Sequence, residues 1–567
     1  MRSIPSRRDV LAPALALAAI ALLTAPLGCS KTLASPFESV LGDAATPQRG
    51  GTLHLATIAD LRSTLDPATG TDLAISPIHH MFAGLVDYDE QAHVVPDLAD
   101  HWDVADDGTT YRFVLRVGVT MHDGAELTAD DVKRSAERAL HPSTPDPNAS
   151  SFAGIVGYDA YSAGKAEHLA GVAVEGRYVV AFHLDKPDAT FPFLLAMHTL
   201  RPTCRSAGDR YSDAWLPCGA GPFMLPAGGW QRGTSLRLVR HEGYFRPGLP
   251  YLDAVEWTFN MQQVVQRVRF ERGELDLLRE LTDADAGRFM TDPRWKPFGL
   301  VGPDTTIYGE SMNTRMPPFD NIEIRRAVAA AVDREHQRLL MPSRMSVLTQ
   351  ALPKTLVDDP SFEGQRYDYP AALEHMRKAG YPYDPVTGTG GWPAPIEYLA
   401  YDPGFDVMTA QLLQQDLARI GLRLRLKLVS YGAFLTLQER EGSSAMSEGN
   451  WMLDYPDASS IFEPLFTSGA IAPEGRFNTA FYSNPRFDER VARAHTEVDA
   501  TVRRALYREA NAILCDEAPW AFTLGKHDFI VHQPYLHGFR PHPVWPLDVS
   551  GVWLDRATDR ALGGGLP

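Results

Sequence analysis

The sequence predicts an α/β protein built from more than one domain. Its 567 residues are enough for two to four domains, taking roughly 100–200 residues for each. Apolar residues make up 44% and charged residues 22%, the balance of a chain with a packed core rather than a disordered one. Strand-like alternation and helix-start signals also recur along the chain. Gly50-Gly51 opens the alternating run Thr52–Ala56. Asp107-Gly108 is a turn signal before Thr110–Arg116, whose Tyr111, Phe113 and Leu115 share one face. Thr128 followed by Asp131 forms a capping box, with Asp in place of Glu, that begins a helix running through Lys133 to Leu140.

Other elements follow in order. Ile75 to Leu85 suits a short helix, Arg325 to Arg334 an amphipathic one, and Arg503 to Leu514 another with Ala505, Leu506, Ala510 and Ile513 periodic. The sequence shows no internal repeat and no extended low-complexity segment. Gly388 to Gly391 is a loop, and no Lys-Ser or Lys-Thr follows it to make a phosphate cradle. The 54 basic and 71 acidic residues give a net charge of −17, which repels phosphate backbones and excludes nucleic acid as an expected partner.

The first 29 residues read as an export signal. Arg2, Arg7 and Arg8 precede an apolar run from Val10 to Leu27, closed by Gly28-Cys29. Ser6 to Leu11 fits a twin-arginine signal, and an ordinary secretory signal remains the alternative. Residues 30–49 are small and polar, the composition of a tether. Of the four cysteines, Cys204 and Cys218 could close a disulfide in an oxidising compartment, and Cys515 reads as an apolar filler. No pair has Cys-x-x-Cys spacing, and His527, His532, His537 and His542 recur every five residues, an interval that cannot converge locally. His79 and His80 are read as pointing apart. No metal and no cofactor is expected, and no hydrolase or nucleotide-binding motif occurs.

The order PDLADHW from Pro96, DGTTYRFVLR from Asp107 and HDGAELTADDVKRSAER from His122 resembles the extracytoplasmic solute-binding proteins of ABC transporters, family 5, the dipeptide and oligopeptide group. Later landmarks keep the register: Gly219 to Phe223, Gly243 to Arg246, Gly273 to Asp276, Pro317 to Asp320, Ala379 to Pro382, Trp451 to Asp457, and Asn484 to Asp488. The resemblance implies a type II periplasmic binding protein clamshell, with two α/β lobes, a hinge and an additional domain. Lobe I would combine 48–90, 200–308 and 528–567; the additional domain II would be 91–199; lobe III would be 309–527. It also implies a monomeric, non-enzymatic binding component of an importer. That component would capture peptide between the lobes and deliver it to a membrane permease, in the periplasm or at the cell surface. Gly28-Cys29 resembles the end of a lipobox, with Cys29 the lipidated residue, although Pro26 and Leu27 depart from the pattern. The alternative reading keeps the clamshell but has it bind a nickel chelate, haem, opine or sugar, or act as an extracytoplasmic ligand sensor.

The candidate site centres on Trp451 to Asp457. By resemblance, Asp454 holds the ligand's α-ammonium, Trp451 packs over the ligand, and Tyr455 lines the pocket or braces the hinge. Asn313 is a further candidate, for ligand backbone or for hinge. For the ligand's carboxylate, Arg201, Arg205, Arg315, Arg344 and Lys354 are all open.

Overall fold

The structure is a computed structural model that describes residues 46–61, 64–212, 215–356, 361–401, 405–471 and 477–555. The export signal, Cys29 and most of the tether lie outside the described residues. Among the described residues, no helix is long and apolar enough to cross a membrane.

The chain enters through β1 (Thr52–Ala56) and α1 (Ile75–Met81). It then builds a four-stranded antiparallel sheet from β2 (Ala99–Val104), β3 (Thr110–Leu115), β4 (Val172–Gly176) and β5 (Val179–His183), in the order β2-β3-β5-β4. Burial strictly alternates along β3, with Tyr111, Phe113 and Leu115 inward, as period-two patterning requires. Against β4 and β5 packs α2 (Ala129–Ala139), whose capping box between Thr128 and Asp131 is formed. Next come β6 (Phe223–Met224), β7 (Ser235–Arg240) and β8 (Ala254–Thr258), which return to β1 in the order β1-β8-β7-β6. Here β1 and β8 run parallel.

The largest sheet has seven strands: β9 (Leu277–Leu278), β10 (Gly299–Met312), β11 (Met345–Val347), β12 (Ile396–Tyr401), β13 (Leu424–Val429), β14 (Met446–Met452) and β15 (Trp520–His532). Its order is β9-β15-β10-β14-β12-β13, with β11 beside β15. One face carries α3 (Ile322–Ala331) and α4 (Phe405–Ala418). The other carries α5 (Ser459–Phe466), α6 (Pro485–Thr496) and α7 (Ala500–Glu517). The helix expected from Arg325 to Arg334 ends at Ala331, and Asp333 caps a separate short helix that begins at Arg334.

Two strands pass from one core to another. At one end of β15, Trp520 and Phe522 pack with Phe462, Phe466 and Phe487; at the other, Phe529 and Val531 pack with Phe270, Phe289 and Trp295. Its partner β10 loses register with it between Val301 and Gly309. Such irregularities bend a strand and interrupt its ladder between the two cores.

A second stitch joins α1, the β6–β8 region and the C-terminal segment. His79 and His80 do not point apart: a helix separates neighbours by only about 100°, and both rings come within 4.0 Å of Asp548. Trp545 stacks on His79 and lies beneath the Arg201 guanidinium. Burial acts to raise the Asp548 carboxyl, but the neighbouring His79 and His80 and the Ser550 backbone N–H bring it below its ordinary range, while burial lowers both histidines. A disulfide joins Cys204 and Cys218.

Candidate ligand-binding site

Strand β14 ends at Met452, and one further ladder bond, from Leu453 N to the Thr305 carbonyl, carries the chain to Asp454. The turn that follows is tightly built. Asp457 accepts from Ser459 N (2.9 Å) and Ser459 Oγ (2.6 Å), starting α5. Arg503 of α7 donates to the same carboxylate at 2.8 Å, and the Tyr507 hydroxyl at 3.2 Å. Tyr455 bonds Ser459 Oγ at 3.0 Å and lies 6.3 Å from Phe193, a residue of the segment after β5.

Asp454 is different. It has no hydrogen bond or ion pair among the described residues, and nothing basic offsets its charge. It keeps water access, yet the walls around it solvate it so poorly that burial alone lifts its carboxyl to about 6. The recess it shares is about 250 Å³ and draws on distant segments: Ser151, Asp188 and Thr190 from one side, Tyr455, Ser459, Glu463 and His495 from the other. His495 closes one end. Its Nδ1 lies 2.8 Å from Glu463 and its Nε2 3.4 Å from Asp188, while its carbonyl accepts from Ala189 N at 2.7 Å. The Glu463 bond raises the His495 pKa against burial, with Asp188 adding to it and Arg503 opposing.

The remaining candidates divide. Trp451 is half-buried, stands edge-on to Phe477 at 4.9 Å, and its indole N–H is shut from solvent without an acceptor among the described residues. Asn313 is only 2% exposed. Its amide oxygen accepts from Arg315 N at 3.0 Å and its amide nitrogen reaches the Ser444 carbonyl at 3.5 Å. Its side chain is thus engaged at the end of β10. Arg201 is buried against Asp87 and the Phe82 carbonyl, Arg205 bonds Asp131 at 2.6 Å, and Arg315 bonds Glu441 at 3.1 Å. The four late histidines take separate partners: His527 pairs with Asp304, His532 meets Phe298, His537 stacks on Trp553, and His542 lies near Trp545. A larger hollow of about 510 Å³ lies elsewhere, between Ser361–Gly364 and Ala512–Asp516. Burial pushes its one thiol, Cys515, up to about 12, which leaves it unreactive.

Sequence reasoning missed Asp188, Glu463 and His495. They sit on three separate segments, and no local motif marks them.

The family model for bacterial extracellular solute-binding proteins, family 5 Middle, matches residues 93–473. The chain belongs to this family. Among curated relatives of this family 5 protein, the glutathione-binding protein GsiB of Salmonella typhi is 27% identical over 506 residues, 87% of this chain and 92% of that one. Among solved structures, HbpA2 from Haemophilus parasuis superposes with a TM-score of 0.78 at 22% identity, covering 89% of this chain and all of the other. The periplasmic binding protein DppA from Helicobacter pylori, in complex with the peptide STSA, gives 0.68 at 22%, covering 90% and 99%. The fold is that of the type II periplasmic binding proteins, as the sequence motifs implied.

Proposed function

We propose that this solute-binding protein is the peptide-capturing component of an ABC importer, and that Asp454 holds the ligand's α-ammonium. One observation carries the reading: a carboxylate without any donor among the described residues, at the rim of a polar interdomain recess. A charge left unpaired at such a place is stabilised when a ligand supplies the ammonium. Trp451 and Tyr455 give that ammonium a partly dry surround. Main-chain hydrogen bonding to an extended ligand would leave side-chain specificity broad. The relatives favour peptide, since one is named for binding glutathione and one was solved with a peptide bound.

In this reading, 48–90, 200–308 and 528–567 form lobe I, 91–199 domain II and 309–527 lobe III. The crossing strands β10 and β15 act as the hinge. The protein works in the periplasm or at the cell surface, anchored through lipid on Cys29, as a monomer, and passes its ligand to a membrane permease. To test the ligand class, protein purified from its native source is denatured and the released small molecules are identified by mass spectrometry. Short peptides are the expected result. A sugar, chelate or tetrapyrrole would overturn the role of Asp454, and an adjacent sensor-kinase gene would favour signalling over transport.

A further inference from the structure

The C-terminal segment 542–554 ties two hydrophobic cores together. Trp545 is buried in the core of the four-stranded sheet, with Tyr111, Phe113 and Phe182. Leu547, Val549, Val552 and Leu554 are buried in a second core, with Leu55 of β1, Leu238 of β7 and Trp257 of β8. Along this path three histidines hold the segment, and each does so with one ring nitrogen as an acceptor.

His80 of α1 is fully buried between that segment and the rings of Phe223 and Trp257. Its Nδ1 lies 2.7 Å from the Ser76 carbonyl and so carries the proton, and its Nε2 accepts from Val549 N at 3.0 Å. His79 stacks on Trp545 at 4.3 Å, and its Nδ1 accepts from Arg201 Nη1 at 3.2 Å. His542 Nδ1 accepts from Val544 N at 3.1 Å and Trp545 N at 3.0 Å, and its Nε2 faces the Tyr88 carbonyl at 3.3 Å. In each ring the nitrogen that would take a second proton already faces an N–H. A proton there sets donor against donor and breaks the contact.

The charges around them are Arg201, Asp87 and Asp548. Asp87 accepts from the Trp545 indole at 2.8 Å and from Arg201 Nη2 at 3.3 Å, and lies 3.8 Å from His79 Nδ1. Asp548 accepts from Ser550 N at 2.9 Å and stands 3.9 Å from His79 and 4.0 Å from His80. Further out, Arg246 pairs with Asp97 at 2.6 Å, and His198 bonds the Pro67 carbonyl at 2.7 Å. Burial raises the phenols Tyr88 and Tyr244, so neither titrates near neutrality. Burial is also the first influence on His79 and His80 and lowers both; Arg201 adds to it and Asp548 opposes.

We infer that segment 542–554 is an acid-released strap, held by His79, His80 and His542 while they are neutral and let go when they are protonated. Release would loosen the four-stranded sheet from the core of β1, β7 and β8. Phe152, Phe191 and Leu194 of the first core flank Ser151, Asp188 and Thr190 of the recess, so one wall of the recess would loosen with it. The device does not depend on which ligand the recess takes. The unfolded chain takes its histidine protons near 6.5 and the native state only at lower pH. The strap is therefore held in full above 6.5 and weakens as pH falls below it. Each proton accepted only after opening raises the opened population about tenfold per pH unit.

The test is hydrogen exchange of the full exported protein, read by mass spectrometry at pH 7 and pH 5 and corrected for the intrinsic rate. Amides of 542–554 should lose protection by at least about tenfold at pH 5, while those of α7 keep theirs. His80→Gln retains an amide donor for Ser76 and an acceptor for Val549 N but cannot titrate. His79→Phe retains a ring against Trp545 and cannot titrate either. Each single variant should lose part of the acid response and the double variant most of it, with thermal melting at pH 7 confirming the fold. The wild-type comparison needs no variant at all. Unchanged protection of 542–554 at pH 5, an equal loss in α7, or an undiminished acid response in the folded variants would overturn the inference.

Discussion

Asp454 and Asp457 stand three residues apart in one turn, and their surroundings are opposite. Asp457 receives donors from Ser459, Arg503 and Tyr507, all within the protein and all from α5 and α7. Asp454 receives none among the described residues and feels only desolvation. An acid whose donors are internal contributes to the fold. One whose donor must come from outside is destabilised until it arrives, and that difference is what a binding site needs.

The paired acid should show the larger loss of stability. Asp457→Ala leaves the Arg503 guanidinium buried without its carboxylate, which should cost about 3–5 kcal/mol of stability. Denaturant unfolding reads this as a lower midpoint, and affinity measured on the folded fraction should move by less than about tenfold. A variant as stable as wild type would mean the two acids are not distinguished by their partners.

The unpaired acid should behave in the reverse way. Asp454→Ala should cost about 2–5 kcal/mol of peptide affinity and leave the melting temperature unchanged or slightly higher. Its pH dependence follows from a carboxyl raised to about 6. Above that pH the group is charged and can pair with an ammonium; below it the group is neutral and cannot. Affinity in calorimetry should therefore fall between pH 7 and pH 5, and Asp454→Asn should bind weakly with no such fall. Unchanged affinity in the alanine variant removes Asp454 from the site.

How much of this could be read in the sequence differs from residue to residue. The capping box at Thr128 and the alternation through Tyr111, Phe113 and Leu115 are local, set by neighbours within a few positions, and were legible directly. The clamshell fold was legible only through motifs in register, since composition and periodicity do not choose among α/β arrangements. Asp454 stood out by its place in the Trp451–Asp457 motif, but nothing in seven residues says which of two acids is paired. That depends on Arg503 and Tyr507, reached through α7, nearly fifty positions away. The recess itself is invisible for the same reason, because Asp188, Glu463 and His495 meet only after three segments pack.

A third acid sharpens the rule in a dry setting. Glu310 of β10 is buried and accepts from the Tyr398 hydroxyl at 2.6 Å, a neutral donor, and burial raises its carboxyl to about 7. Directly opposite, burial also raises Glu448 well above its ordinary value, and the nearby acids Asp406 and Glu310 add to the rise. The native state thus binds a proton more tightly at Glu310 than the unfolded chain, whose value is 4.5. Its contribution is complete below pH 4.5 and is lost as pH rises through 7, roughly 3 kcal/mol in all. Unfolding followed from pH 5 to pH 8 should show this decline, and Glu310→Gln should flatten part of it. A decline of the same size in the variant would assign it to other groups.

The smallest expected effect concerns an acid pair held by one titrating partner. His495 sits between Asp188 and Glu463 and fastens the segment after β5 to α5 and α6. The native state raises its pKa above 6.5, chiefly through the Glu463 bond, while burial and Arg503 act the other way. A histidine raised in this way contributes in full below 6.5 and loses its contribution as pH rises through the native value. His495→Gln keeps a hydrogen-bonding side chain and leaves the Ala189 contact, which uses the backbone carbonyl, but cannot carry the charge. It should cost about 1 kcal/mol at pH 6 and nothing at pH 9, read as a difference in melting between the two conditions. The same variant places two carboxylates near Asp454 with no cation between them. Free Asp454 should then titrate higher still, so the pH below which peptide is lost should move upward. If that pH stays where it is in wild type, the recess does not couple His495 to Asp454, and the acids of the rim act one at a time.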